Sequence, residues 1–361
     1  MTGSAIAILS TENLIHNVKI MQAQAPNSRI LAMVKANAYG HGLRSTAKRL
    51  EPHIWSLGVA RIDEALALRQ AGIKIPITLM EGVFNQDELL LASCHNFPVV
   101  LHNFTQLQWL EHSKLPNKLH AWIKLDTGMN RLGFNQKEFE QAYHQLKNNR
   151  NLVHPIHIMS HLAVAEDPAH PLTQTQIASF NKATAGIGGY KSLANSASIL
   201  LMPKTHYEVV RPGISLYGIS PLNGKTGLDL GLRPVLTLQT RIVAIRDVEK
   251  GEYIGYGGGF QCPADMRIGV IAIGYGDGYS RNTANNTPVI VNGRRCKIVG
   301  RISMDMSTID LSHCPDAQIG DSVTLWGEEL PIEEVVAHTG NSVYDLICGV
   351  QLRVKYHWTD I

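Results

Sequence analysis

Cysteine, aromatic residues and long apolar runs are all scarce in this chain of 361 residues. The five cysteines, Cys94, Cys262, Cys296, Cys314 and Cys348, are odd in number, widely spaced and without a Cys-x-x-Cys pair, so neither a disulfide framework nor a zinc ribbon is supported and reduced thiols are expected. The apolar stretch Ala5 to Leu9 is far shorter than the roughly 20 residues a membrane helix needs, and no basic segment precedes it; the chain reads as cytoplasmic. An excess of one charge is missing too. The 33 Lys and Arg against 30 Asp and Glu leave +3, scattered along the chain, so nucleic acid is not an expected partner. No G-x-G-x-x-G follows an early strand: the clusters GYGGGF (255–260) and GYGDGY (274–279) have other spacings.

What is present is the texture of a soluble globular protein, 44% hydrophobic and 17% charged, and long enough for one large domain and a smaller one. Eight short apolar runs alternate with amphipathic stretches: Ile30 to Lys35, Trp55 to Ala60, Ile75 to Met80, Phe97 to His102, Leu119 to Asp126, Pro155 to Leu162, Lys191 to Ser196 and Val209 to Gly218. The helical stretches include Arg61 to Ala71, closed by Gly72, and Gln136 to Lys147, opened by Asn135 with Glu138 as capping-box partner. Alternation implies a parallel sheet, and eight near-continuously apolar runs suit a closed (β/α)8 barrel better than an open doubly wound sheet. After residue 230 the runs Pro234 to Ile245, Arg267 to Ile273, Thr287 to Val291, Cys296 to Ile302 and Ser322 to Trp326 are punctuated by Gly, Pro, Asn and Asp, with one helical candidate at Ile332 to His338. The expected division is a barrel over 10–229 and a mainly β domain over 230–361, joined by the glycine-rich stretch Leu222 to Gly231. An N-terminal strand within 1–9, followed by a helix over Thr11 to Ala23, is assigned to the second domain.

In a barrel, chemistry gathers where strands end. Lys35 closes the first run; such a lysine is ordinarily a snorkelling surface residue, and the alternative is an amine held in a pocket for covalent catalysis. The fifth run ends in KLDTGMNRLGF (124–134), which crowds Lys124, Asp126 and Arg131 into one corner, either as a structural ion-pair cluster or as a functional one. His161 ends the sixth run, Asn195 and Ser196 the seventh, and Arg211 and Gly213 enter the eighth. Ser196 with the Gly213 backbone suits a phosphate, which barrels often bind at the loops after their last two strands. His154, His157 and His161 superficially resemble a metal-ligand run, but along a strand His154 and His157 face opposite sides and no carboxylate or cysteine set completes a shell; no metal is expected.

The segments VKANAYGHG (34–42), KLDTGMNRLGF, NSAS (195–198), RPGISLYG (211–218), IGYGGG (254–259), AIGYGDG (272–278) and GRISMDM (300–306) closely resemble, in order, the motifs of bacterial alanine racemases. The resemblance runs from about residue 8 to the end. It implies a pyridoxal-phosphate enzyme with a barrel and a β domain, acting on alanine as a head-to-tail homodimer whose active sites are shared. Lys35 is similar to the family's Schiff-base lysine. Tyr39, Ser196, Gly213, Ile214 and Tyr344 resemble its phosphate contacts, while Asn195 and Leu79 resemble neighbours of the cofactor. Arg211 resembles the partner of the pyridine nitrogen, Arg131 the residue near the phenolic oxygen and substrate carboxylate, and His161 the link to the second base. Tyr256, that second base, with Tyr275, Met304 and Asp305, matches residues given by the partner subunit. Lys124 resembles a lysine often carbamylated in the family.

Rival functions within this resemblance are a broad-specificity or serine racemase, a barrel-type pyridoxal-phosphate decarboxylase and a small cofactor-carrier barrel. Decarboxylases of this kind place an acid, not an arginine, against the pyridine nitrogen and lack the YGGG tyrosine. The carriers lack a second domain. One departure from the family is Arg353-Val354-Lys355-Tyr356, where a proline-bearing R-V-P-R is usual, so the last strand is expected to pack differently.

Overall fold

Strands buried on both faces read as uninterrupted apolar runs, and each of the eight early runs contains a strand. The computed structural model describes residues 5–360; Met1 to Ser4 of the expected N-terminal segment, and Ile361, lie outside the described residues. After β1 (Ala5–Ser10) come β2 (Arg29–Met33), β3 (Ser56–Val59), β4 (Ile77–Leu79), β5 (Val99–Leu101), β6 (Ala121–Lys124), β7 (His157–Met159), β8 (Lys191–Ser192) and β9 (Val209–Val210). These last eight pair in parallel in the order β8-β7-β6-β5-β4-β3-β2-β9. The ring closes between β8 and β9 through a parallel bridge, with Arg211 N–H donating to Ala194 at 2.9 Å and Asn195 facing Arg211. The protein thus contains a (β/α)8 barrel.

The strands are shorter than the runs. A closed barrel pairs only a few residues of each, and the remainder turn outward at the top. Side chains alternate accordingly: Leu31, Met33, Val100, Trp122, Met159 and Val209 fill the interior, while Ile30, Ala32, Leu57, Val99 and Ile123 pack beneath the helices. The helix Gln136–Leu146 begins where its cap requires: Asn135 Oδ1 accepts from Glu138 N–H at 3.0 Å and the Glu138 carboxylate accepts from Asn135 N–H at 2.9 Å.

The second unit is built on β10 (Leu236–Val248), followed by β11 (Tyr253–Ile254), β12 (Phe260–Gln261), β13 (Met266–Ile271), β14 (Pro288–Val291), β15 (Arg294–Ile298), β16 (Ser307–Asp310), β17 (Ser322–Trp326) and β18 (Lys355–Thr359). β10 is long enough to pair with β17 over one half and β13 over the other, so β13-β16-β15-β14-β17-β10 close into an antiparallel ring. β1 pairs antiparallel with β10 and parallel with β18, so the chain's first and last described strands both belong to this sheet. The helical segment begins at Ile332 as the pattern predicts but ends at Val336, and a second helix, Val343–Gly349, follows. Its signal was present in the sequence: Ser342 caps Asp345 N–H in an S-x-x-D box.

The two units meet at Gly40. Its φ is +76°, and an added Cβ would lie 1.8 Å from the Ile347 carbonyl oxygen; the Tyr356 hydroxyl donates to its own carbonyl at 2.7 Å. Gly40→Ala is therefore expected to lower the urea midpoint of unfolding by the equivalent of about 3 kcal/mol or more, since the side chain meets backbone on both counts of space and conformation. An unaltered midpoint would mean that the helix Val343–Gly349 is not seated on the barrel as described.

Candidate active site

Immediately after β2 the backbone does something that L-residues avoid. Ala36, Asn37, Ala38 and Tyr39 all have φ between 50° and 54°, and Gly40 follows at 76°. This is one turn of left-handed helix, closed by bonds such as Gly40 N–H to Ala36 O at 3.1 Å and Gly42 N–H to Asn37 O at 2.9 Å. Each non-glycine residue in that conformation costs about 1–2 kcal/mol. The Glu64 carboxylate offsets part of it by accepting from Ala36 N–H at 2.8 Å while its other oxygen accepts from Ala60 N–H at 2.9 Å. The strand therefore ends at Met33 rather than at Lys35, and the turn sets Lys35 and Tyr39 facing the barrel mouth.

There they line a cavity of about 670 Å³ together with Lys124, Arg131, His161, Asn195, Ser196, Arg211, Gly213, Ile214 and Tyr344. Four cations face two carboxylates, Glu81 and Glu166, so the cavity is suited to anions. At one side the Ser196 hydroxyl accepts from Gly213 N–H at 2.9 Å and from Ser215 N–H at 3.4 Å. A Cβ on Gly213 would come within 2.6 Å of the Tyr39 hydroxyl, so glycine keeps this cradle open.

Arg211 is 4% exposed and, among the described residues, has no carboxylate partner. Its guanidinium donates to the Ser192 hydroxyl at 2.5 Å, to the Ser160 carbonyl at 2.6 Å and toward His161 Nδ1 at 3.4 Å. Burial lowers it to about 10, which still leaves it charged at neutral pH. Burial first, and then Arg211, Lys124 and Arg131, push His161 down to about 3; it is a neutral ring. Lys124 falls to about 8 through burial and the repulsion of Arg211 and Arg131.

The corner at 124–134 is not an ion-pair cluster. Asp126 Oδ1 accepts from the N–H groups of Gly128, Met129 and Asn130 at 2.9, 3.0 and 3.2 Å, shaping the turn, and Lys124 and Arg131 form no ion pair among the described residues. Leu79 is fully buried in the helix-facing core, and the next residue, Met80, lines the cavity instead, because alternate residues of a strand face opposite ways. Ser192, which holds Arg211, was not among the expected residues.

Four expected residues lie elsewhere. Tyr256, 69% exposed, sits at the tip of the β11–β12 hairpin, whose Gly255 backs onto the Arg301 backbone. Tyr275 N–H and Gly276 N–H donate to the carbonyls of Ser303 and Met304 at 3.0 and 2.8 Å, and Arg353 joins Asp305 at 2.6 Å to buried Asp277 at 2.7 Å. Tyr256, Tyr275, Met304 and Asp305 thus share one exposed region of the second unit, around residues 300–305, and none lines the cavity of its own chain.

Comparison with known proteins agrees over the whole molecule. Residues 9–221 match the family model "Alanine racemase, N-terminal domain" and residues 235–358 match "Alanine racemase, C-terminal domain". The chain is 45% identical over 348 residues to an alanine racemase of Shewanella woodyi, covering 96% of this chain and 97% of the relative. The biosynthetic alanine racemase of Pseudomonas aeruginosa superposes with a TM-score of 0.96 at 36% identity, covering 99% of this chain and 100% of that one. An alanine racemase from Bartonella henselae with covalently bound pyridoxal phosphate superposes with a TM-score of 0.89 at 29% identity, over 99% of this chain and 100% of that one.

The His161 ring supplies a measurable consequence. Its folded value lies below the ordinary 6.5, so the unfolded chain takes up a proton first as pH falls. The stability His161 confers is complete above pH 6.5 and is lost between 6.5 and about 3. His161→Gln is expected to lose less stability than the native protein between pH 7 and 5, by urea unfolding at each pH. Equal losses would contradict a buried neutral ring.

Proposed function

The chain belongs to the alanine racemase family and is an isomerase, and from that premise we propose that it interconverts L- and D-alanine with pyridoxal phosphate, using Lys35 and the partner subunit's Tyr256 as bases on opposite faces of the substrate. The observation that carries this reading is the grouping, in one cavity of a single chain, of Lys35, Arg131, His161, Arg211 and the Ser196–Gly213 cradle. The product, D-alanine, would serve peptidoglycan synthesis.

The residues present fit the cofactor. The Ser196 hydroxyl and the backbone at Gly213 and Ile214, with the Tyr39 and Tyr344 hydroxyls beside them, would hold its phosphate in the space that glycine leaves open. Lys35 would hold it covalently, Asn195 would lie beside it, and Arg211 would hold its ring nitrogen. When bound, pyridoxal phosphate supplies an electron-withdrawing ring that makes the α-proton of the substrate removable.

Racemisation needs that proton taken from one face and returned on the other. The Lys35 amine serves the D-isomer and the partner's Tyr256 the L-isomer. Because the tyrosine lies outside the cavity of its own chain, a head-to-tail homodimer is required to bring the two together. The partner's Tyr275, Met304 and Asp305 belong to the same exposed region and would narrow the entrance. Arg131 orients the substrate carboxylate. Tyr344 at the cavity wall leaves little room beside the substrate side chain, which favours alanine over larger amino acids. A neutral Lys124 amine is available near pH 8, and a carbamate formed on it would turn a cation facing Arg131 into its partner.

Arg211 offers only donors, so a ring nitrogen facing it is not supplied with a proton and draws electrons less strongly than one facing an acid. This restrains the substrate's electrons to simple proton return and disfavours transamination.

Two experiments follow. Tyr256→Phe should depress turnover of L-alanine far more than cofactor binding, and refolding a mixture of inactive Lys35→Ala and Tyr256→Phe chains should restore activity, to about one quarter of the sites, because half the dimers then carry one intact pair. No recovery in verified mixed dimers would place both bases in one chain. Arg211→Glu is expected to raise transamination relative to racemisation, measured by pyruvate release against change in enantiomer ratio. An unaltered ratio would remove this role for the arginine.

A further inference from the structure

The barrel has a second mouth, and its chemistry is not that of a plain stabilising end. At the N-terminal ends of the strands lies a cavity of about 1170 Å³ that shares no lining residue with the active-site cavity. The interior layer around Leu31, Val100 and Met159 separates the two. β7 illustrates the division: His157 lines the lower cavity and His161, just beyond the strand, lines the upper one.

The lower cavity is walled by a run of rings. Trp122 and His157 are 4.9 Å apart between centroids, His157 stacks on Tyr190 at 4.7 Å, and Tyr190 meets Trp55 edge to face at 5.7 Å. Burial lowers His157 to about 4, so its ring is neutral and contributes surface rather than charge. Arg29 lies over both Tyr190 and Trp55, its guanidinium carbon 4.9 and 5.5 Å from their centroids. Held by ring faces, it makes no ion pair and no side-chain hydrogen bond to any described residue, so its N–H fork remains free. The Tyr190 hydroxyl and the Trp55 indole Nε1–H likewise have no partner among the described residues. Arg69 and Lys74 add positive charge to the same lining, against one carboxylate, Glu208, which already accepts from Lys191 N–H at 2.8 Å.

A rigid aromatic wall offers stacking area at small entropic cost, and an unpaired guanidinium fork offers bidentate recognition of a carboxylate. We propose that this lower mouth is a second ligand site, for a planar aromatic ring bearing a carboxylate, with Arg29 taking the carboxylate and the aromatic wall beside Trp55 the ring. The site is independent of the reaction at the upper mouth.

The test is isothermal titration of the holoenzyme with 2-naphthoate, in saturating alanine so that the active site is not available to the probe's carboxylate. The expected result is one site per chain, with affinity reduced about tenfold or more both for the uncharged 2-naphthamide and in Arg29→Gln. Trp55→Leu should weaken the probe as well, while both variants keep the native turnover of alanine, which verifies folding. No binding up to millimolar probe overturns the proposal, as does an affinity that is the same in native enzyme and Arg29→Gln, or binding that alanine abolishes.

Discussion

A guanidinium without a carboxylate partner among the described residues sits where the barrel ring closes, and the arrangement of the upper mouth depends on keeping it there. Removing such a charge from water costs several kcal/mol. Arg211 recovers this through bonds to the Ser192 hydroxyl and the Ser160 carbonyl, each of a kind that contributes about 1.5–3 kcal/mol when the donor is charged. Those bonds tie together the ends of β7, β8 and β9. Closure of the ring and placement of the cation are therefore one event, and His161 stays neutral because it is buried and this fixed charge lies beside it.

The opposite side of the cavity rests on a second unfavourable element, the left-handed turn at Ala36 to Tyr39. Strain of this sort persists only where surroundings over-determine it. Here Glu64 holds the turn from the barrel side, while Ile347 and Tyr356 close on Gly40 from the second unit. The β domain is thus more than an appendage. It braces the segment that carries Lys35, contributes Tyr344 to the cavity wall, and presents Tyr256 on an exposed hairpin outside the cavity of its own barrel.

Much of this was legible in the chain. The eight apolar runs each yield a strand because a barrel strand is buried on both faces, and that burial forces a composition no surface strand shares. The Asn135–Glu138 box was readable because capping is local chemistry between residues three apart. Strand ends were less so: Lys35, Ser196 and the segment after Arg211 lie beyond the sheet although they fall within the runs, since register in a closed ring is set by neighbours distant in sequence. The role of Asp126 stayed open for a related reason: its neighbouring charges allowed an ion-pair cluster, and only the folded turn shows its oxygen accepting from three backbone donors.

Composition and periodicity by themselves determined the fold class, because it depends on local patterns of burial, while the resemblance of the ordered motifs to those of alanine racemases implied the family and the candidate cofactor-side residues. Only the tertiary structure decided that Met80 rather than Leu79 faces the cavity, that Ser192 anchors Arg211, and that His157 and His161, four residues apart, serve opposite mouths of one barrel. Those outcomes depend on which side of a strand faces inward and on how the ring closes, and both are fixed by contacts between segments that the linear order does not bring together.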